Sequence, residues 1–272
     1  ARFDPYGRPS AEVSVNGRGP FRFLVDTGAT TSLIVRRVAD LLGLVDTGLV
    51  TVASTTGVSQ LPTTEVASLA AGAVRLERTR VAVLDGAWTL HSAGVVGADM
   101  FAGRRLEFNL RRRTVRVLRS RNWRFTAAER NVVFRNGLAL VKGSLGRVAT
   151  TMVLDTGAEC SIINLPLYEE VRRRLPNVRV VQGAVFHGIT GKTMSGDGVY
   201  VPECRVDSVT AREVAVLAAD APVFRVWGLD EEPAMIVGSD ILGGLARFEI
   251  DYGAGVFTAT AGGLAPRTVR VA

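Results

Sequence analysis

Apolar residues along the chain come in short runs broken by Gly-containing turns, and helical heptads do not recur. That pattern predicts strands joined by tight turns, a mostly β protein rather than a helical bundle. The runs also repeat. Val15 to Ala29 reads as a strand, a Gly-containing turn and a second apolar strand ending in Asp-Thr-Gly-Ala, and the same order recurs from Val141 to Ala158. Ser32-Leu33-Ile34 then matches Ser161-Ile162-Ile163, and Val81-Ala82-Val83-Leu84 matches Val214-Ala215-Val216-Leu217. Val95-Val96-Gly97-Ala98-Asp99 matches Ile236-Val237-Gly238-Ser239-Asp240, and Glu107-Phe108-Asn109 matches Glu249-Ile250-Asp251. The offset between copies grows from 129 to 133 and then to 141 or 142, so the second copy carries short insertions, mostly between Leu217 and Gly238.

The duplication divides the chain into a first lobe over 1–118, an Arg-rich connector over 119–130 and a second lobe over 131–272, each mostly β with a short helix or two. The segments after the two Asp-Thr-Gly-Ala units, 32–42 and 161–175, read as the helices, with the better helix formers in Tyr168 to Leu175. Asp99 and Asp240 stand where a short helix would begin and read as N-caps. Phe224, Trp227 and Met235, in the region where the copies differ most, read as core.

Composition narrows the function. With 47% hydrophobic residues over 272 positions, the chain can bury a core, which excludes a wholly disordered protein. Residues 1–130 hold 19 basic and 11 acidic side chains, and ten arginines fall within 104–130. No nucleic-acid-binding motif accompanies them, so they read as a solvated strand and connector and no nucleic-acid partner is expected. No apolar run reaches the ~18–20 residues of a membrane span, so no stable insertion is expected. Cys160 and Cys204 fit either one disulfide or two buried thiols. There is no Cys-x-x-Cys pair, and His91 and His187 are isolated, so neither a metal nor a cofactor is expected. Opening at Ala1 without a signal-type apolar segment, the sequence reads as a mature or trimmed secreted form, or as a piece cut at a boundary.

The chemistry lies in the Asp-Thr-Gly units. A glycine after Asp and Thr lets the backbone turn tightly at a strand end. Two such turns meeting across a pseudo-twofold axis would set Asp26 beside Asp155. Carboxyls that close cannot both ionise, so they share a proton. The ionised partner can then activate a water while the protonated one donates to a carbonyl. Thr27 and Thr156 would hydrogen-bond across the lobes, with Gly28, Ala29, Gly157 and Ala158 completing the loops. A third triplet, Asp46-Thr47-Gly48, lacks the preceding hairpin and the following Ala, and reads as a surface turn.

These motifs resemble the retropepsin-like aspartic proteases, specifically the single-chain, two-lobed bacterial members, and more loosely periplasmic aspartyl proteases of the PerP type. The resemblance rests on apolar-apolar-Asp-Thr-Gly-Ala at Asp26 and Asp155 and on apolar-apolar-Gly at Gly97 and Gly238. It implies two homologous β lobes, Gly97 and Gly238 in ψ-shaped crossings behind the catalytic loops, and a water activated between Asp26 and Asp155 for peptide hydrolysis. It further implies an extended protein or peptide substrate under hairpin flaps. Their candidate tips are Thr55-Thr56-Gly57-Val58 and Gly188-Ile189-Thr190-Gly191.

A monomer holding an intramolecular pseudo-dimer, a periplasmic or secreted location, and the periplasmic part of a membrane protein as a conceivable substrate follow from the same resemblance. With Thr30 and Glu159 after the loop alanines, and Ala98 and Ser239 after the glycines, the family's dimer-supporting Asp–Arg ion pair is expected to be absent on both sides. Ala29 and Ala158, in place of a hydroxyl, leave the shared proton held to higher pH and predict activity at roughly pH 4–6.5. The competing readings are a non-catalytic peptide-binding module on the same fold and a basic nucleic-acid- or surface-binding protein using the arginine run.

Overall fold

The computed structural model describes residues 2–85 and 92–262, and His91 lies outside them. Eight strands build the first lobe: β1 (Arg2–Phe3), β2 (Pro9–Val15), β3 (Arg18–Val25), β4 (Leu33–Val35), β5 (Asp46–Ser54), β6 (Gly57–Ala71), β7 (Val74–Leu84) and β8 (Gly94–Val96). One helix, α1 (Arg36–Leu42), follows β4. The sheet order is β1-β2-β3-β8-β4-β7-β6-β5. Next come β9 (Arg104–Asn109) and β10 (Thr114–Arg119). The second lobe repeats the first in β11 (Val132–Arg135), β12 (Leu138–Leu145), β13 (Val148–Leu154), β14 (Ile162–Ile163), β15 (Arg179–His187), β16 (Thr193–Val206), β17 (Val209–Ala218) and β18 (Ala234–Val237). Its order, β11-β12-β13-β18-β14-β17-β16-β15, copies that of the first sheet strand for strand. The protein is therefore mostly β, with two similar eight-stranded sheets.

The local chemistry explains the elements. In β3 the residues Phe23, Leu24 and Val25 are all buried, as Met152, Val153 and Leu154 are in β13. A strand covered on both faces needs an unbroken apolar run rather than alternation. Each of these strands pairs in parallel with the strand before its lobe's second glycine, β3 with β8 and β13 with β18. β4 and β14 run antiparallel to β8 and β18. This requirement shortens the helices that the sequence predicts at 32–42 and 161–175. Leu33-Ile34-Val35 and Ile162-Ile163 are spent as sheet, because β-branched residues fit a buried pleat. Only α1 and α2 (Leu165–Arg174) remain helical. Asn164 caps α2, its side chain accepting from the Leu167 N–H.

The hairpin registers differ slightly from the sequence match. Ser10 faces Leu24 in β2–β3, and Leu140 faces Val153 in β12–β13. The Asn16-Gly17 turn of the first lobe thus corresponds to Gly146-Arg147, while Gly143 lies inside β12. The same alignment sets Leu138 where the first lobe has Arg8.

α3 (Pro222–Val226) lies in the insertion of the second copy and reaches β5 and β6 of the first lobe. Phe224 and Trp227 are buried with Leu229 and Ile236, and Ala53 of β5 packs against the cluster. Met235 is fully buried as well. Asp46 is exposed and opens β5 instead of sitting in a turn, and both its oxygens accept from the Arg36 guanidinium, at 2.9 and 3.0 Å.

A third sheet joins the halves, with order β10-β9-β19-β20, where β19 is Leu245–Asp251 and β20 is Val256–Ala261. α4 (Ser239–Leu242) leads into β19. The matched landmarks Glu107-Phe108 and Glu249 lie in this sheet, and Phe108 faces Phe248 across β9–β19 while Glu107 faces Glu249. The two rings stack with centroids 4.4 Å apart. Like charges directly opposite one another are unfavourable, and arginines offset them. Arg105 meets Glu249 at 2.7 Å, Arg121 and Arg247 also bond Glu249, and Arg247 reaches Glu107 at 2.5 Å. Burial pushes Glu249 up, but the Arg105 hydrogen bond and the charges of Arg105, Arg121 and Arg247 outweigh it and hold the carboxyl below its ordinary value. Two of the arginines read as solvated, Arg105 and Arg121, are thus structural. Truncating the ring at the sheet centre, Phe108→Ala, should cost about 3–5 kcal/mol in urea unfolding, and a loss under about 1 kcal/mol would show that the stacked pair is not a core.

Candidate active site

Asp26 follows β3 and Asp155 follows β13, so each stands where a buried strand leaves its sheet. Their backbone N–H groups donate to Val96 O and Val237 O, both at 3.0 Å, extending the parallel pairing by one residue. Beyond each aspartate the chain folds back on the carboxylate. Asp26 Oδ1 accepts from the N–H of Gly28 at 2.8 Å and of Ala29 at 3.0 Å, and Asp155 Oδ1 accepts from Gly157 at 2.8 Å and Ala158 at 2.9 Å.

The loops interlock through their threonines. Thr27 Oγ1 donates to Leu154 O and Thr156 Oγ1 donates to Val25 O, each at 2.7 Å. Each hydroxyl also accepts from the other threonine's N–H, at 3.2 and 3.1 Å. Both side chains are buried, so no water competes for these bonds.

The glycines set how close the carboxyls come. A Cβ on Gly28 would lie 2.3 Å from Asp155 Cγ, and one on Gly157 would lie 2.3 Å from Asp26 Cγ. No other residue fits, so the requirement here is close approach rather than backbone freedom. Gly97 and Gly238 answer the same need one layer behind. Their Cβ atoms would fall 2.8 Å from Ala29 O and from Cys160 O. Ala98 N and Ser239 N donate to Ala29 O and Ala158 O at 2.8 and 2.9 Å.

The two carboxyls lie within hydrogen-bonding reach of each other, and both are pushed above the ordinary carboxylate value. For Asp26, raised well above it, burial is the main cause, followed by the charge of Asp155 and the hydrogen bond to it. For Asp155 burial again comes first, opposed by the hydrogen bond from Asp26, the Ala158 and Gly157 N–H groups and the charge of Arg8. Both shifts favour a pair that holds one proton between its two carboxyls. Tyr252, stacked on Phe134 at 5.0 Å, is raised by burial and then by Asp26.

Arg8 is a functional candidate that no sequence motif marks, and it meets Glu159. The Arg8 side chain is 7% exposed and reaches Glu159 of the opposite loop at 3.2 Å and Asp4 at 2.6 Å. An interlobe ion pair is thus present on one side, but its arginine comes from the segment before β2 and not from the positions after Gly97 and Gly238, which hold Ala98 and Ser239. The signal was the unequal pair Arg8 and Leu138, visible only with the hairpin register in hand.

Asp99 and Asp240 are corrected as well. Neither is an N-cap; Gly97 and Gly238 occupy those positions. Asp99 accepts from Ser32 Oγ at 2.7 Å and Ser32 N at 2.9 Å, and Asp240 accepts from Ser161 Oγ and N at 2.8 Å each. Each serine hydroxyl in turn accepts from Gly97 N or Gly238 N. These contacts tie the exit of each Asp-Thr-Gly loop to the strand crossing behind it. The cysteines are both free. Cys204 belongs to the larger core cluster, whereas Cys160 packs against the cluster around Phe224 and Trp227, so the two thiols serve different packing surfaces. Burial first, then Asp240, pushes each up to about 12. Among the described residues no group of three or more His, Cys, Asp or Glu side chains could hold a metal ion.

The candidate tips sit at the turns of two long hairpins, Thr55-Thr56 between β5 and β6 and 188–192 between β15 and β16. The turns meet. Lys192 Nζ donates to Val58 O at 2.6 Å, Ser54 Oγ and Thr190 Oγ1 are 3.4 Å apart, and a Cβ on Gly188 would lie 1.8 Å from Thr56 Oγ1. Gly57, Ile189 and Gly191 complete these tips.

Asp240 gives the site a testable titration. Burial outweighs its hydrogen bonds and raises its pKa to about 6. An acid raised in the fold binds its proton more tightly there than in the unfolded chain, so its stabilising share is full below about pH 4 and lost as pH rises through 6. Wild type should therefore lose up to about 3 kcal/mol more than Asp240→Asn between pH 4 and 7 in urea titrations. Equal losses would contradict the buried-acid assignment.

The comparisons agree with the fold. The family model described as gag-polyprotein putative aspartyl protease matches residues 11–102. A search of the curated proteins found no match. The matched segment contains β3, the Asp26 loop, the β5–β6 hairpin and the Gly97 crossing, all of which the second sheet repeats in the same topology. Over the first lobe the chain is thus similar to that aspartyl protease family, and the second lobe repeats the same sheet topology.

Proposed function

We propose that the chain is an aspartic endopeptidase acting as a monomer, its connector doing the work of dimerisation. One observation carries the reading: two carboxyls from separate lobes share a site that burial and mutual repulsion keep singly protonated. Asp155, whose ionised form the charge of Arg8 favours, takes the role of base and removes a proton from a water held between the carboxyls. The resulting nucleophile adds to the peptide carbonyl carbon as Asp26 donates its proton to the carbonyl oxygen. A tetrahedral diol forms. Its collapse breaks the C–N bond, with a proton delivered to the departing nitrogen, and the dyad regains its single proton. The threonine exchange supplies the rigidity that such geometry needs. The substrate lies extended beneath the β5–β6 and β15–β16 hairpins, whose tips must part to admit it.

Asp26→Asn and Asp155→Asn should each lower kcat/KM on a peptide library by at least about a thousandfold while leaving the fold intact, whereas Asp46→Asn should cleave nearly normally. Activity in both dyad variants would overturn the reading. The pH profile should be bell-shaped with its maximum at roughly pH 4–6.5.

Arg8 sets the asymmetry of that profile. Its charge favours the ionised form of Asp155, so removing it raises that carboxyl and moves the acid limb of kcat/KM to higher pH. Arg8→Leu, the residue at the matching position of the second lobe, should show this displacement, and Arg8→Lys should keep the wild-type limb. An unmoved limb in Arg8→Leu would mean the arginine only clasps the lobes.

A further inference from the structure

The proposed reaction leaves one feature of the sequence unused, the ten arginines in 104–130. Arg105 and Arg121 turn inward to Glu249. Seven others, Arg111, Arg112, Arg113, Arg116, Arg119, Arg124 and Arg130, are exposed. Most of them follow β10, the outer strand of the interlobe sheet, and its two ends. Six strand residues span about 20 Å. The two acids in this stretch do little to neutralise the row. Glu107 is buried and engaged by Arg247 at 2.5 Å, with Arg116 the one member of the row near it, at 3.7 Å, and Glu129 is held by the Thr126 N–H and hydroxyl, both at 2.8 Å.

Aromatic rings flank the row. The Arg113 guanidinium lies 5.1 Å from the Phe3 ring centre, and that of Arg124 lies 4.6 Å from Trp123. Trp123 is 74% exposed. An indole left in water beside arginines suits the headgroup layer of a bilayer, where its ring and its N–H are both accommodated. The row also lies along a strand edge and its turns. It offers neither a helix to enter a duplex groove nor consecutive aromatic rings on which successive bases would stack.

From this juxtaposition we propose that the β10 edge, with Trp123 at its end, is a docking surface for an anionic lipid bilayer. The contact is peripheral. No helix among the described residues is long and apolar enough to cross a membrane. The attraction comes from guanidinium groups near anionic headgroups, and it fades within a Debye length of about 8–10 Å, so binding falls as salt rises. The surface includes neither the aspartates, nor their loops, nor the hairpin tips, so it can be altered without touching the proposed chemistry.

The test is co-sedimentation of the full chain with vesicles of phosphatidylcholine alone or mixed with phosphatidylglycerol, at low and high salt. Expected are binding to the anionic vesicles at low salt, loss at high salt and little binding to the neutral ones. Arg112→Glu/Arg119→Glu/Arg124→Glu should weaken binding at least about tenfold with an unchanged circular dichroism spectrum. Quenching of tryptophan fluorescence by brominated lipid should disappear in Trp123→Phe. The proposal is overturned if the anionic vesicles bind no better than neutral ones, or if the folded triple variant binds like wild type. It is also overturned if single-stranded RNA or DNA binds through the same arginines while vesicles do not.

Discussion

Two buried threonine hydroxyls, each donating to a carbonyl of the opposite lobe, set the distance on which the site depends. Because Thr27 reaches Leu154 O and Thr156 reaches Val25 O, the ends of β3 and β13 cannot separate without leaving buried polar groups unpaired. The carboxyls beside them are consequently held together against their own repulsion. The glycines are the steric counterpart of that bond, since any side chain at Gly28 or Gly157 would displace the opposite aspartate. Hydrogen bonding pulls the loops together, the absence of Cβ lets them meet, and burial then leaves the pair short of one negative charge.

Around this symmetric centre the chain has become unequal. One lobe contributes Arg8, bonded to Glu159 across the interface, where the other contributes an apolar Leu138. One lobe carries α3, which reaches the opposite hairpin. A dimer of identical chains must place every residue twice, whereas a fused pair can spend an arginine on one side only. A charge beside one carboxyl removes the degeneracy between two otherwise equivalent acids, and the acid–base chemistry proposed above needs one group in each role.

The interlobe sheet shows the same economy. Glu107 and Glu249 derive from matching positions of the repeat and, once the halves are docked, face each other. Duplication thus created a like-charge contact at the centre of the interface. Arg105, Arg121 and Arg247 relieve it, which explains why part of an arginine-rich stretch faces inward while the remainder stays in water.

Legibility followed the range of the interactions involved. Strand-forming runs, the duplicated topology, the two Asp-Thr-Gly loops and the core placement of Phe224, Trp227 and Met235 could be read from residue order, because each depends on local pattern or on likeness between copies. The strand character of Leu33 to Val35, the serine contacts of Asp99 and Asp240, the free thiols of Cys160 and Cys204, and the Arg8–Glu159 pair could not. Each is decided by what another segment brings to that point in space. Sequence alone determined that two acidic turns exist and resemble each other. Only the tertiary structure decided that they interlock and which arginine stands beside which carboxyl, because a hydrogen bond or ion pair across 129 or more residues leaves no periodicity in the chain that makes it.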